Sequence, residues 1–390
     1  MINWVYRKIH MKKKIIYSIG ILVFILGAVS GNAQNMVPKK CYLHLIGTIN
    51  KEYPIEMNLV KINDTIYGDY SFVQPGKIPF GKENTGKGIP VYGKMSSGEA
   101  FSLKELIATP GSLFKGKFVN SQALSGTFES SSGSKPLPFE VMEKYPEGSI
   151  AMNVYYQKAV MPLVKKPRSP VAAIQLGMLL PGESANPLIS DSLIHLMLVK
   201  FTGKQVRITQ PVKLLDGMKQ IYFENYLSTN EGIYNETMAS SFNWQSLKFV
   251  HILMNGSHIL SFYIDHYAFT GGAHGLQTRQ FTVVNLWTGK EVGLKDIFIE
   301  SFEAQLSSIL SDKIHEMNHL PTSQSLKEAG FFTDTVKPTD NFYITREGIG
   351  FFYNQYDIAP YASGSIDVFI PFRELKDVLV AGGVIRELSR

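Results

Sequence analysis

"YIDHYAFTGGAHGLQTRQFTVV", residues 263–284, sets His266, Gly271, Gly272, His274 and Gly275 between two apolar runs. A glycine cluster can cradle a phosphate, admit a ligand to the backbone, or turn the chain. A phosphate loop needs a strand before it and a helix N-terminus after it, so that amides and the helix dipole converge on the anion. Here residues 278–286 alternate like a strand, and the loop holds no lysine and no Gly-x-Gly-x-x-Gly spacing. The stretch therefore predicts an antiparallel hairpin rather than a nucleotide site, with positive-φ glycines in its connection.

The same strand signals extend upstream. Asn255-Gly256 joins apolar runs at 249–254 and 258–264, a strong short hairpin signal. Further runs at 150–160 and 171–180 read as strands. Asn186 before Pro187 is a candidate N-cap, followed by Ile189, Leu193, Leu196 and Met197 on one helical face. Leu214, Met218, Ile221 and Tyr222 mark a second helix, and Phe302, Leu306, Ile309 and Leu310 a third. The chain closes with strands at 342–354 and 365–372 and a short helix at 373–379. Strands and helices in blocks predict α+β, here an antiparallel sheet with about three helices over residues 147–390.

Residues 34–146 read as antiparallel β. Ile55, Met57 and Leu59 alternate with Glu56 and Asn58, as in a strand with one wet face. A Gly-x-apolar unit recurs at Gly47, Gly68, Gly93, Gly116 and Gly126, and residues 74–77 and 130–134 form turn clusters. Glycine at a repeated strand position marks a bulge or a bend where a sheet curls. The expectation is a strongly bent meander or partial barrel, with no catalytic constellation in it.

The first 33 residues have the outline of a secretory signal peptide. Arg7, Lys8, Lys12, Lys13 and Lys14 precede an apolar run at 15–29, and Gly31-Asn32-Ala33 offers a cleavage site. Met11, followed by three lysines, is an alternative start. Those five basic residues, taken from 39, leave 34 against 33 acidic ones. Near neutrality argues against a nucleic-acid partner, which would require a basic face to displace counterions. The single Cys41 cannot make an internal disulfide and lies past any lipid-attachment position. The expectation is a periplasmic or secreted protein that meets the membrane only during export.

Two blocks carry a resemblance. The first runs from Asp265-His266-Tyr267 through residues 271–275 to Trp287-Thr288-Gly289-Lys290 and Leu294-Lys295-Asp296-Ile297-Phe298. The second is Tyr356-Asp357-Ile358-Ala359-Pro360-Tyr361-Ala362-Ser363-Gly364, followed by Val368-Phe369-Ile370-Pro371-Phe372 and Glu374-Leu375. In this order, over residues ~150–380, they resemble the RsiV/PdaC-like extracytoplasmic domain family, which includes a lysozyme-sensing anti-sigma factor and a peptidoglycan deacetylase. The N-terminal β half lies outside the resemblance. The resemblance implies a module that recognises a cell-wall polymer such as peptidoglycan, or a wall-active protein such as lysozyme, by binding rather than by chemistry. The candidate surface joins His266, Gly271, Gly272, His274 and Gly275 to Tyr356, Pro360, Tyr361 and Gly364, with no catalytic residue, metal or cofactor.

The alternative is a zinc-dependent hydrolase built on His315-Glu316-Met317-Asn318-His319, a literal His-Glu-x-x-His. On a helix its histidines would share a face, with Glu316 activating a bound water. Lys313 ahead of it and Pro321 behind it are foreign to that pattern, and a third ligand would have to come from Glu328, Asp334 or Glu347. His251, His258, His266 and His274 fall on or beside one hairpin, either as a metal cluster or as histidines hydrogen-bonded within a sheet.

Overall fold

The apolar alternation that begins at Tyr42 closes on itself. In the computed structural model, which describes residues 37–390 except 74–75, 78–82, 85, 107–110, 183–186, 208–209, 387 and 389–390, eight strands form a closed antiparallel barrel. They are β1 (Lys40–Ile49), β2 (Tyr53–Ile62), β3 (Thr65–Phe72), β6 (Ile89–Met95), β7 (Ala100–Glu105), β8 (Leu113–Asn120), β9 (Ala123–Glu129) and β10 (Leu137–Glu143). The two-residue strands β4 (Gly76–Lys77) and β5 (Glu83–Asn84) pair outside it. Pairing of β1 with β10 closes the ring, so the meander goes further than a partial barrel and leaves no open edge. Leu45, Met57, Tyr70, Phe114 and Phe139 fill its interior. Gly116 and Gly126 face each other across β8 and β9, and a Cβ on Gly126 would lie 2.0 Å from the Lys115 carbonyl oxygen. The glycine repeat thus marks close backbone approach.

The outer face of β1–β3 is not wet. Glu56 and Asn58 are each only 4% exposed, because the rest of the chain covers them. Tyr42, Val60, Ile62 and Tyr67 on this face share a hydrophobic core with Ile174, Ile252 and Phe262 from the second half. Asn58 and Glu56 between them are paired, although Asp69 Oδ2 and His44 Nε2 find no partner among the described residues. Tyr42 Oη donates to Asn58 Oδ1 at 2.7 Å, and Arg346 donates to Glu56 Oε2 from Nε at 2.9 Å and Nη2 at 2.6 Å. Residues Asn35–Arg390 accordingly form one compact unit.

The second half is built on a six-stranded sheet in the order β11 (Met152–Pro162), β12 (Val171–Pro181), β13 (Trp244–Gly256), β14 (Ile259–Phe269), β15 (Leu276–Asn285), β16 (Lys290–Glu291). It is mixed, which corrects the antiparallel expectation. Helices α1 (Pro187–Thr202) and α2 (Pro211–Asn230) carry the chain from β12 to a parallel β13. A parallel pair requires such a crossover. Helix α2 buries Leu215, Phe223 and Tyr226, whereas Ile221 is exposed. The candidate cap Asn186 lies outside the described residues.

The β13–β14 turn is two residues later than Asn255-Gly256. Ser257 and His258, at φ 50° and 58°, make the two-residue connection. Asn255 is instead fully buried, accepting from Ile150 N and donating to the Tyr42 hydroxyl and the Ile150 carbonyl. A second antiparallel sheet, β17 (Phe342–Ile344), β18 (Gly348–Tyr353) and β19 (Ile366–Pro371), packs with α3 (Phe302–Met317). The closing helix α4 is one turn, Phe372–Leu375, shorter than the sequence suggested.

Candidate functional site

Strand pairing carries β14 and β15 out to Ala268 opposite Leu276, and residues 270–275 bridge them. Gly271 and Gly272 adopt φ 94° and 93°, a region that only glycine enters cheaply. Gly275 serves differently: its φ is ordinary, but a Cβ there would come within 2.5 Å of the Tyr267 ring.

Two asparagines tie the far loop to this hairpin. Asn354 accepts from Arg279 N at 2.7 Å and returns a bond to the Arg279 carbonyl. Asn341 accepts from Phe281 N at 2.8 Å and donates to the carbonyls of Arg279 and Phe352. Their amides occupy β15 backbone groups that a neighbouring strand would otherwise take. This fastens residues 354–365 beside residues 270–275.

The result is a short ladder of rings. His274 stacks on Tyr361 at 4.0 Å between centroids with 22° between planes, and Tyr361 lies 5.7 Å from Tyr356. The Tyr361 hydroxyl donates to the Gly275 carbonyl at 3.0 Å, and His274 Nδ1 contacts the same oxygen at 3.2 Å. Tyr356 is 56% exposed at φ 71°, a conformation unfavourable for a bulky residue. Pro360 and Gly364 flank the single turn that presents Tyr361, with Gly364 at φ 70°.

His266 is half-buried on β14, with Nε2 3.3 Å from Ser246 Oγ; burial, with Lys248 nearby, holds its imidazole below the ordinary histidine range. Beside the ladder, Gln277, Arg279, Phe352, Asn354, Gln355 and Ser365 line a small open cleft. Sequence reading missed Arg279, Asn341 and Asn354, none of which belongs to a local pattern.

The histidines of the hairpin do not converge. His251 is stacked against Tyr263 at 4.5 Å, and His258 against Trp287 at 3.8 Å at the opposite end of β14. The zincin geometry also fails on position. Helix α3 ends at Met317, and His319 lies beyond it at φ 53°, so it does not share a helical face with His315. Both ring nitrogens of His315 sit 2.9 Å from backbone carbonyls, Gln324 and Ser311, which raise its pKa and occupy the positions a cation would take. Met317, the last residue of α3, is 49% exposed. No group of three metal-ligating side chains occurs among the described residues.

Among the described residues no helix is long and apolar enough to cross a membrane. A search of the curated proteins found no match. Among solved structures, the chain resembles a DUF3298 family member from Bacteroides fragilis, with 23% identity and a TM-score of 0.58, covering 61% of this chain and 97% of that one. A DUF3298 family protein from Pseudomonas aeruginosa gives 16% identity and a TM-score of 0.42, over 59% and 94%. The first likeness supports the fold. Residues 295–373 match the model of the family described as "Protein of unknown function (DUF3298)", a stretch that contains α3, the second sheet and the Tyr361 half of the ladder.

Proposed function

We propose that this chain is an exported cell-envelope binding protein that recognises a cell-wall component, or a wall-active protein such as lysozyme, through the ring ladder. The observation that carries the reading is the stack of His274 on Tyr361 across two loops some 90 residues apart, with Tyr356 exposed beside it. Rigid aromatic rings offer contact area at low entropic cost, and such side chains dominate binding energy at recognition surfaces. The basic-then-apolar start supports export, and the resemblance of residues ~150–380 supports an envelope ligand. A division of labour between the barrel of residues 34–146 and the recognition half from 147 is part of the same proposal.

Capture by purified peptidoglycan and by immobilised lysozyme, in parallel, tests it. One bait should retain the wild-type protein. His274→Ala should hold folding stability within about 0.5 kcal/mol, since the side chain is exposed, while weakening capture about tenfold. If His274→Ala unfolds the protein, or neither bait retains the wild type, the reading is wrong.

A further inference from the structure

The cleft beside the ladder has an unmatched set of hydrogen-bonding groups. Arg279 is pinned between the rings of Tyr263 and Phe352, its guanidinium carbon 5.4 and 5.7 Å from their centroids. Its Nε lies 3.4 Å from Asp265 Oδ1, but its two Nη atoms make no hydrogen bond with the described residues. Asp265 is already engaged by Gln277 Nε2, at 2.8 Å to one oxygen and 3.0 Å to the other. The other carboxyl whose field reaches Arg279 is Asp69, on the barrel side, and burial pushes it up to about 7, toward the neutral form. Asp265 thus supplies the counter-charge of the arginine, and what stays open are its two Nη donors. Gln355 Oε1 is buried in the same lining and accepts no hydrogen bond among the described residues.

An unpaired buried oxygen such as Gln355 Oε1 is costly unless a partner completes it, whereas Arg279, 37% exposed, keeps its Nη donors available to a ligand. Arg279 offers a planar pair of donors suited to a carboxylate, and Gln355 offers an acceptor suited to a hydroxyl or amide N–H. The ladder adjoins the cleft in sequence on both sides: Gln277 lies two residues after Gly275, Gln355 precedes Tyr356 and Ser365 follows Gly364. The cleft is small and open, with room for one substituent rather than a whole ligand. Resting on the binding reading above, we infer that the site takes an anionic glycan. A sugar ring stacks on Tyr361 and Tyr356, its carboxylate meets the Nη atoms of Arg279, and a hydroxyl or acylamino N–H reaches Gln355.

The probe is the disaccharide N-acetylglucosaminyl-N-acetylmuramic acid, compared with its carboxamide, which removes the charge and replaces one acceptor oxygen by an NH2 donor. Titration followed by NMR should show the acid binding at least tenfold more tightly. Arg279→Gln should abolish that preference and Arg279→Lys should retain part of it. Equal binding of acid and amide by the wild type, no binding of either, or a preference that survives Arg279→Gln overturns the inference. The comparison on the wild-type protein needs no variant, so misfolding cannot obscure it. Capture by untreated peptidoglycan, run beside the titration, separates the two claims. Retention of the wild type together with equal binding of acid and amide leaves the binding reading standing and removes the carboxylate; no retention removes the cell-wall form of the reading as well.

Discussion

Arg346→Ala is expected to destabilise the protein by about 3–5 kcal/mol, because it strands a buried carboxylate. Glu56 is 4% exposed at the interface between barrel and sheet, and its Oε2 receives two bonds from the Arg346 guanidinium. Its other oxygen is 3.8 Å from His44 Nδ1, itself fully buried. The converse change should be milder. Arg346 is 26% exposed, so in Glu56→Gln it can recover water and keep a neutral acceptor, at a cost of about 1–2 kcal/mol. Denaturant midpoints of the two variants test this asymmetry; equal losses would mean that the pair does not sit in the dry interface described.

Asp69→Asn should stabilise the protein in alkaline solution and hardly at all in acid. Burial raises the Asp69 pKa from 3.8 to about 7, so between those values the native state keeps a proton that the unfolded chain releases. Stability attributable to this group is present below the unfolded value and is lost as pH rises toward 7. At 1.36 kcal/mol per unit the loss reaches about 4 kcal/mol, which asparagine would not incur. His251 acts in the opposite direction. Burial lowers it to about 4, so the native state refuses a proton that the unfolded chain binds below 6.5, and stability is lost as pH falls. The two slopes oppose each other in the wild type over much of that range. Denaturation at about pH 4 and about pH 8 should show the variant's advantage only at the higher value. An advantage independent of pH would contradict the burial of an ionisable Asp69.

The residues that were legible in the sequence are those whose pattern is local. Ile55, Met57 and Leu59 line the barrel core as their alternation implies, and the glycines of residues 271–275 turn the hairpin. Alternation shows which side chains share a face but not what covers it. Glu56 and Asn58 therefore read as solvated, although a second layer buries them. Asn255 was misplaced for a related reason. Asn-Gly is a turn signal only while the asparagine is free, and here Tyr42 and Ile150, more than 100 residues away, claim its side chain. The parallel β12–β13 pair depended on where two helices deliver the chain, which no residue in either strand encodes. Within the site, both loops were visible as unusual stretches. Their union depends on Asn341 and Asn354, single amides with no periodicity to reveal them.

The central claim is that residues 270–275 and 354–365 act as one recognition surface. Amide hydrogen exchange with and without a saturating bait, soluble peptidoglycan fragments in one series and lysozyme in the other, tests it most directly. The account predicts that one bait slows exchange in both segments together, with the turn at Ser257 and His258 unchanged. Protection confined to that turn or to the barrel, or protection of only one of the two loops, would contradict it.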